Sequence, residues 1–100
     1  MCEFKIIKKN DGSQILEDIV MLSYTEDNCG LLFKDVIGMG EILESALILD
    51  VNTLNQTCVV LEHPLIRGFI DLIQKVNNKT ISKSEIESFE KQLDDLKKNL

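Results

Sequence analysis

Cysteine directly after the initiator methionine is the feature of this chain with the most chemistry in it. Cys2 follows Met1. With Met1 retained, three donors fall within two residues: the Met1 amine, the Cys2 amide nitrogen and the Cys2 sulfur. With Met1 removed, the Cys2 amine and thiolate still form a chelate. Thiolates are soft ligands, and a square-planar sulfur/nitrogen set suits Ni(II) or Cu(II). Metal displaces the proton from a thiol whose free pKa is about 8.5, so affinity is expected to fall in acid. One chain end does not close such a site, whereas two Cys2 residues meeting at a two-fold axis would supply four donors. The same position also suits a small hydrophobe opening a strand. Residue types and spacing leave both readings open.

The remaining candidates are set by their neighbours. Cys58 lies among Val59, Val60 and Leu61 and reads as a core residue; Cys29 precedes Gly30 in a turn and reads as an exposed thiol or an inert loop residue. His63 is the only histidine. It is a candidate second metal ligand and equally a junction residue between two elements. Glu17 and Asp18 are adjacent, so on a strand they point to opposite faces and make no acid/base pair. One of them is expected to form an ion pair or to accept from backbone N–H groups at a strand irregularity. No G-x-S-x-G, P-loop or dinucleotide-binding glycine pattern occurs, and the single histidine has no nucleophile beside it. The chain is not expected to be an enzyme.

Short strands must position these residues. Cys2–Lys8 alternates Cys2, Phe4 and Ile6 with Glu3 and Lys5, and Asn10-Asp11-Gly12-Ser13 is a turn signal. Further strands are expected over Gln14–Tyr24, Leu31–Ile37, Glu41–Asp50 and Thr57–Glu62. Asp27-Asn28-Cys29-Gly30 and Gly38-Met39-Gly40 form the connections, with a one-turn 3₁₀ link over Asp50–Gln56. About five short strands with a turn every ten residues predict a small antiparallel barrel over residues 1–62. Residues 63–100 change character. Pro64, the only proline, suits the first helical position. Leu65, Ile66, Phe69, Ile70, Ile73 and Val76 then follow at helical spacing, predicting a helix over 64–77. Ser82 and Glu85 have capping-box spacing. Ile86, Phe89, Leu93, Leu96 and Leu100 repeat as 3-4-3-4, predicting a second helix over about 82–99 with a narrow apolar seam. The two helices are expected to cover the barrel or to form a dimer contact.

Composition limits the function classes. Apolar residues are 44% and charged residues 28% of 100, an ordinary globular balance with a small core that often leans on a partner or a metal. Residues 1–62 carry four Lys/Arg and eleven Asp/Glu, net −7. Residues 63–100 carry seven and six, net +1. Phosphate backbones are held by basic faces, so nucleic-acid binding is not favoured. No run approaches the roughly 20 apolar residues that span a bilayer, and no signal peptide opens the chain. A soluble cytoplasmic protein with reduced thiols is the expectation.

The order of these motifs resembles the CooT family, small proteins tied to nickel enzymes such as carbon monoxide dehydrogenase. The chain shows Met1-Cys2, then Leu16-Glu17-Asp18-Ile19-Val20, then Gly30-Leu31-Leu32-Phe33-Lys34-Asp35-Val36-Ile37-Gly38. Leu49-Asp50-Val51 and Val59-Val60-Leu61-Glu62 close the series. The match covers residues 1–62. It implies an SH3-like barrel, a homodimer, and Ni(II) held by Cys2; donor chemistry adds the Met1 amine where Met1 is retained, and leaves Cu(II) and Zn(II) as alternative metals. The resemblance also implies an apo-metalloenzyme as client. Some members carry a predicted RNA-binding label by analogy with Sm-like barrels. Three features depart from the family. Asn55-Gln56-Thr57 stands where a His-Arg pair is usual, Ala46 replaces a glycine, and residues 63–100 extend beyond the short members. Three readings follow: a nickel-binding accessory protein, an RNA-binding small barrel, or an interaction adaptor whose helices do the work.

Overall fold

A computed structural model of the chain describes residues 3–25 and 30–100. Met1, Cys2 and Cys29 lie outside the described residues. The protein is mainly β, followed by two helices: β1 (Phe4–Lys8), β2 (Gln14–Tyr24), β3 (Leu31–Asp35), β4 (Gly40–Leu43), β5 (Ala46–Asn52), β6 (Thr57–Glu62), α1 (Pro64–Asn77) and α2 (Lys83–Lys98). The strands form one sheet in the order β4-β3-β2-β1-β6-β5.

Six strands stand where about five were expected, because the predicted strand 41–50 bends at Glu44-Ser45 into β4 and β5. Neighbouring strands are antiparallel except β1 and β6, which pair in parallel (Lys5 with Thr57, Lys8 with Val60). The expected 3₁₀ link over 50–56 is not formed. Asp50, Val51 and Asn52 stay in β5, and residues 53–56 make a turn in which the Asn52 side chain accepts from the Asn55 N–H at 3.0 Å. The third strand ends at Asp35 rather than Ile37 because Asp35 turns the chain. Its carboxylate accepts from the N–H groups of Ile37 (3.0 Å) and Met39 (2.9 Å), and Gly38 supplies φ +88°, a region glycine enters without a Cβ clash.

The core consists of Ile6, Ile19, Leu31, Phe33, Ala46, Cys58 and Val60, each 0–3% exposed. Leu31/Phe33 and Cys58/Val60 show the two-residue period of a strand with one face inward. Neither helix contributes a buried residue, so the sheet covers its own inner face by curling into a barrel-like fold. Tyr24 ties the curl together. Its hydroxyl donates to the Ala46 carbonyl (3.2 Å) and accepts from the Ile48 N–H (3.1 Å), linking β2 to β5, which are not neighbours in the sheet. Ala46 places its methyl in this core.

The helices follow their sequence signals closely. Ser82 caps α2 and Glu85 completes a reciprocal capping box. The hairpin is antiparallel: Lys75 pairs with Glu85 and Asp71, and Gly68 admits Phe89 and Gln92 close to the α1 backbone. Of the two expectations for these helices, cover for the barrel or a dimer contact, the structure shows a limited contact with the sheet, chiefly between α1 and β5. The radius of gyration is 15.5 Å, against about 13 Å for a compact chain of this length, because the hairpin stands away from the barrel.

Candidate functional site

The strand leading from the chain start lies in the interior of the sheet. β1 is flanked on both sides, by β2 and by β6. Lys5 donates its N–H to the Gln56 carbonyl at 2.9 Å. Opposite it, β2 carries an extra residue: Phe4 pairs with Ile19 but Ile6 with Leu16, leaving Glu17 and Asp18 against Lys5. Asp18 takes φ +57° at this bulge. The expected strand irregularity is therefore present. The expected bond is not: among the described residues neither Glu17 nor Asp18 enters an ion pair or a side-chain hydrogen bond. Both side chains are exposed, and in open water such pairs contribute little.

The cysteines divide by environment. Cys58 is fully buried in the core, as its apolar neighbours predicted. Burial pushes its thiol up, with the Asp50 carboxylate adding to the rise. A buried, protonated thiol is a poor metal ligand, since the thiolate is the binding form. The positions of Cys2 and Cys29 lie outside the described residues.

His63 sits between β6 and α1 and acts as the cap of α1. Its Nδ1 accepts from the Leu65 N–H at 3.1 Å. Ser45, at the β4–β5 bend, completes the junction: its hydroxyl donates to the His63 carbonyl and accepts from the Arg67 N–H at 2.9 Å. Two of the unpaired N–H groups at the start of α1 are thus satisfied from different parts of the chain. Asn10 bonds the Glu62 backbone both ways, at 2.9 and 3.0 Å, and Lys8 lies 3.6 Å from the Glu62 carboxylate. Lys8, Asn10, Ser45, Glu62 and His63 line a cleft of about 610 Å³ that also includes Asp11 and Pro64. Asp11 is held below the usual carboxylate range by the hydroxyl and N–H of Ser13. As a metal ligand His63 has only Nε2 to offer, because Nδ1 is committed to the helix cap.

A second cleft of about 280 Å³ lies beside the bulge, lined by Glu17, Asp35, Glu41, Leu16, Ile19 and Met39. Its carboxylates do not converge. Among the described residues no three His, Cys, Asp or Glu side chains come together in a way that would hold a metal ion. No helix among them is long and apolar enough to cross a membrane.

Sequence reasoning missed Ser45 and Asn10. Their partners lie 22 and 52 residues away, so no local pattern marks them. Tyr24 ends a strand in the sequence pattern, and its signal is chemical: a tyrosine among core residues generally seeks a partner for its hydroxyl.

No protein-family model matches the chain, and no curated protein matches it.

Proposed function

We propose that the protein is a nickel-binding accessory protein that captures Ni(II) through the Cys2 thiolate, with backbone nitrogen and the Met1 amine where it is retained. It would pass the ion to an apo-form nickel enzyme such as carbon monoxide dehydrogenase. The observation that carries this reading is the division of the cysteines. Cys58 is sealed in the core as a thiol, so thiolate chemistry falls to Cys2 and Cys29, and only Cys2 has an amine and an amide beside it. The run from Met1-Cys2 to Val59-Val60-Leu61-Glu62, similar in order to the CooT family, supports the same assignment. The helix-capping role of His63 weighs against it as a principal ligand. The RNA-binding alternative is disfavoured by the net −7 of residues 1–62.

Titration with Ni(II) tests the proposal. The parent is expected to bind about one ion per two chains, with two Cys2 thiolates sharing it, and to show a thiolate-to-metal charge-transfer band. Binding weakens as pH falls below neutral, because protons compete for sulfur. Cys2→Ser replaces a soft ligand with a hard one and loses both band and binding, while Cys29→Ser keeps them. A Cys2→Ser protein that binds nickel like the parent, or a loss seen only with Cys29→Ser or His63→Ala, rejects the assignment.

A further inference from the structure

The hairpin leaves one long apolar strip uncovered. Phe69 of α1 is 51% exposed, and Ile86, Leu93 and Leu96 of α2 are 42%, 46% and 41% exposed. The Phe69 and Phe89 rings, with centroids 6.2 Å apart, join the two helices' stripes into a single strip. Two antiparallel helices sharing one apolar face are half of a four-helix core.

The charges beside the strip say what completes it. Ile86, Phe89, Leu93, Leu96 and Leu100 occupy the a and d positions of a heptad. One flank of α2, the g positions Glu85 and Gln92, is already turned toward α1. Glu85 pairs with Lys75, and the Gln92 carbonyl lies against Gly68. The opposite flank, the e positions, carries Glu90 and Lys97, both exposed. In an antiparallel pair of α2 helices with Leu93 layered on the partner's Leu96, each Glu90 meets the partner's Lys97, twice by symmetry. A slip of one heptad would set Glu90 against the partner's Glu90. A parallel pair would set Glu85 against the partner's Glu90. One register matches in sign, and it is the one in which the helix dipoles also oppose.

We infer that the helical hairpin docks a second copy of this chain: two α2 helices pair antiparallel, with Glu90 facing the partner's Lys97, to close a four-helix bundle. The near-neutral charge of residues 63–100, net +1, permits this self-contact. Nothing in the inference depends on nickel, so Cys2→Ser is expected to dimerise like the parent.

Sedimentation equilibrium of the full chain, with circular dichroism as a check that helix content is unchanged, reads the outcome. The parent is a dimer at about 50 µM, a concentration at which a micromolar dimer is well populated. Glu90→Lys and Lys97→Glu each turn two attractive pairs into repulsive ones and weaken the dimer roughly tenfold. The double variant E90K/K97E restores the sign match and returns to within about threefold of the parent. Leu93→Glu abolishes the dimer. A parent that is monomeric at 50 µM would overturn the inference and leave the strip to a different protein. A double variant no tighter than the singles would overturn the register. A dimer lost in Cys2→Ser yet unchanged in Leu93→Glu would move the interface off the hairpin altogether.

Discussion

Tyr24 shows how one hydroxyl can do what the rest of the sheet cannot. The hydrogen-bonded ladder leaves β4 and β5 as its two edges, and an uncovered edge is prone to fraying or to pairing with another chain. The Tyr24 hydroxyl reaches β5 at both the Ala46 carbonyl and the Ile48 N–H. Tyr24→Phe keeps the ring in the core and removes both bonds. The expected loss is about 1–3 kcal/mol, the cost of leaving part-buried backbone groups unpaired. Thermal or denaturant unfolding measures it, and an unchanged midpoint would show that water replaces the hydroxyl without cost. Cys58 and His63 make a related point. Each has a chemically capable side chain, and each is held in a structural role, one by burial and the other by capping a helix.

At the scale of the element, the hairpin is joined by the Lys75–Glu85 pair and by the Phe69–Phe89 ring contact. Ser82 and Glu85 cap α2 reciprocally, and Glu85 also pairs with Lys75. The Lys75 ammonium, with help from Ser82, keeps the Glu85 carboxyl below its ordinary value. Glu85, and secondly Asp71, hold the Lys75 ammonium above its own. A carboxylate whose pKa is lowered on folding contributes stability above its unfolded value, about 4.3, and that contribution fades as pH falls through the folded value. A lysine whose pKa is raised contributes below about 10.4 and loses that contribution at higher pH. The helix contact is thus expected to be intact around neutrality and to loosen below about pH 4. Loss of the α2 amide protections in acid, absent in a Glu85→Gln variant that is already loosened at neutral pH, would demonstrate it. Ser82→Ala removes the cap and should cost about 0.5–2 kcal/mol. If helix content and hairpin melting are the same in Ser82→Ala and the parent, the capping box is not what starts α2.

For the molecule as a whole, the separation of core from hairpin has a direct consequence. Every residue of the buried core comes from β1, β2, β3, β5 or β6. Removing residues 64–100 therefore takes away no core side chain, and the remaining barrel is expected to unfold cooperatively with its β signal intact. In the absence of nickel it should also sediment as a monomer, since the strip flanked by Glu90 and Lys97 is gone. A truncated chain without a cooperative transition would mean that the helices support the barrel through the Ser45 and β5 contacts more than their exposure suggests.

The amino-acid sequence alone determined most of the elements and their sides. Gln14–Tyr24, Thr57–Glu62 and Pro64–Asn77 match their predicted ranges, because alternating apolar residues, turn residues and a proline at the first helical position act locally. The capping box at Ser82 was equally legible, being a contact over three residues. Cys58 could be assigned to the core from its apolar neighbours. Only the tertiary structure decided the rest. The split of residues 41–50 follows from the Glu44-Ser45 bend, which brings the Ser45 hydroxyl to the start of α1, a contact with no local signal. The parallel pairing of β1 with β6 joins segments about 50 residues apart, and periodicity does not encode a partner's direction. The role of His63 turned on which backbone N–H its ring met. The exposed seam of α2 reads the same in sequence whether it is to be covered by the barrel, by α1 or by a second chain. Its uncovered face became visible only when α1 was found along one flank and the sheet had closed over its own core.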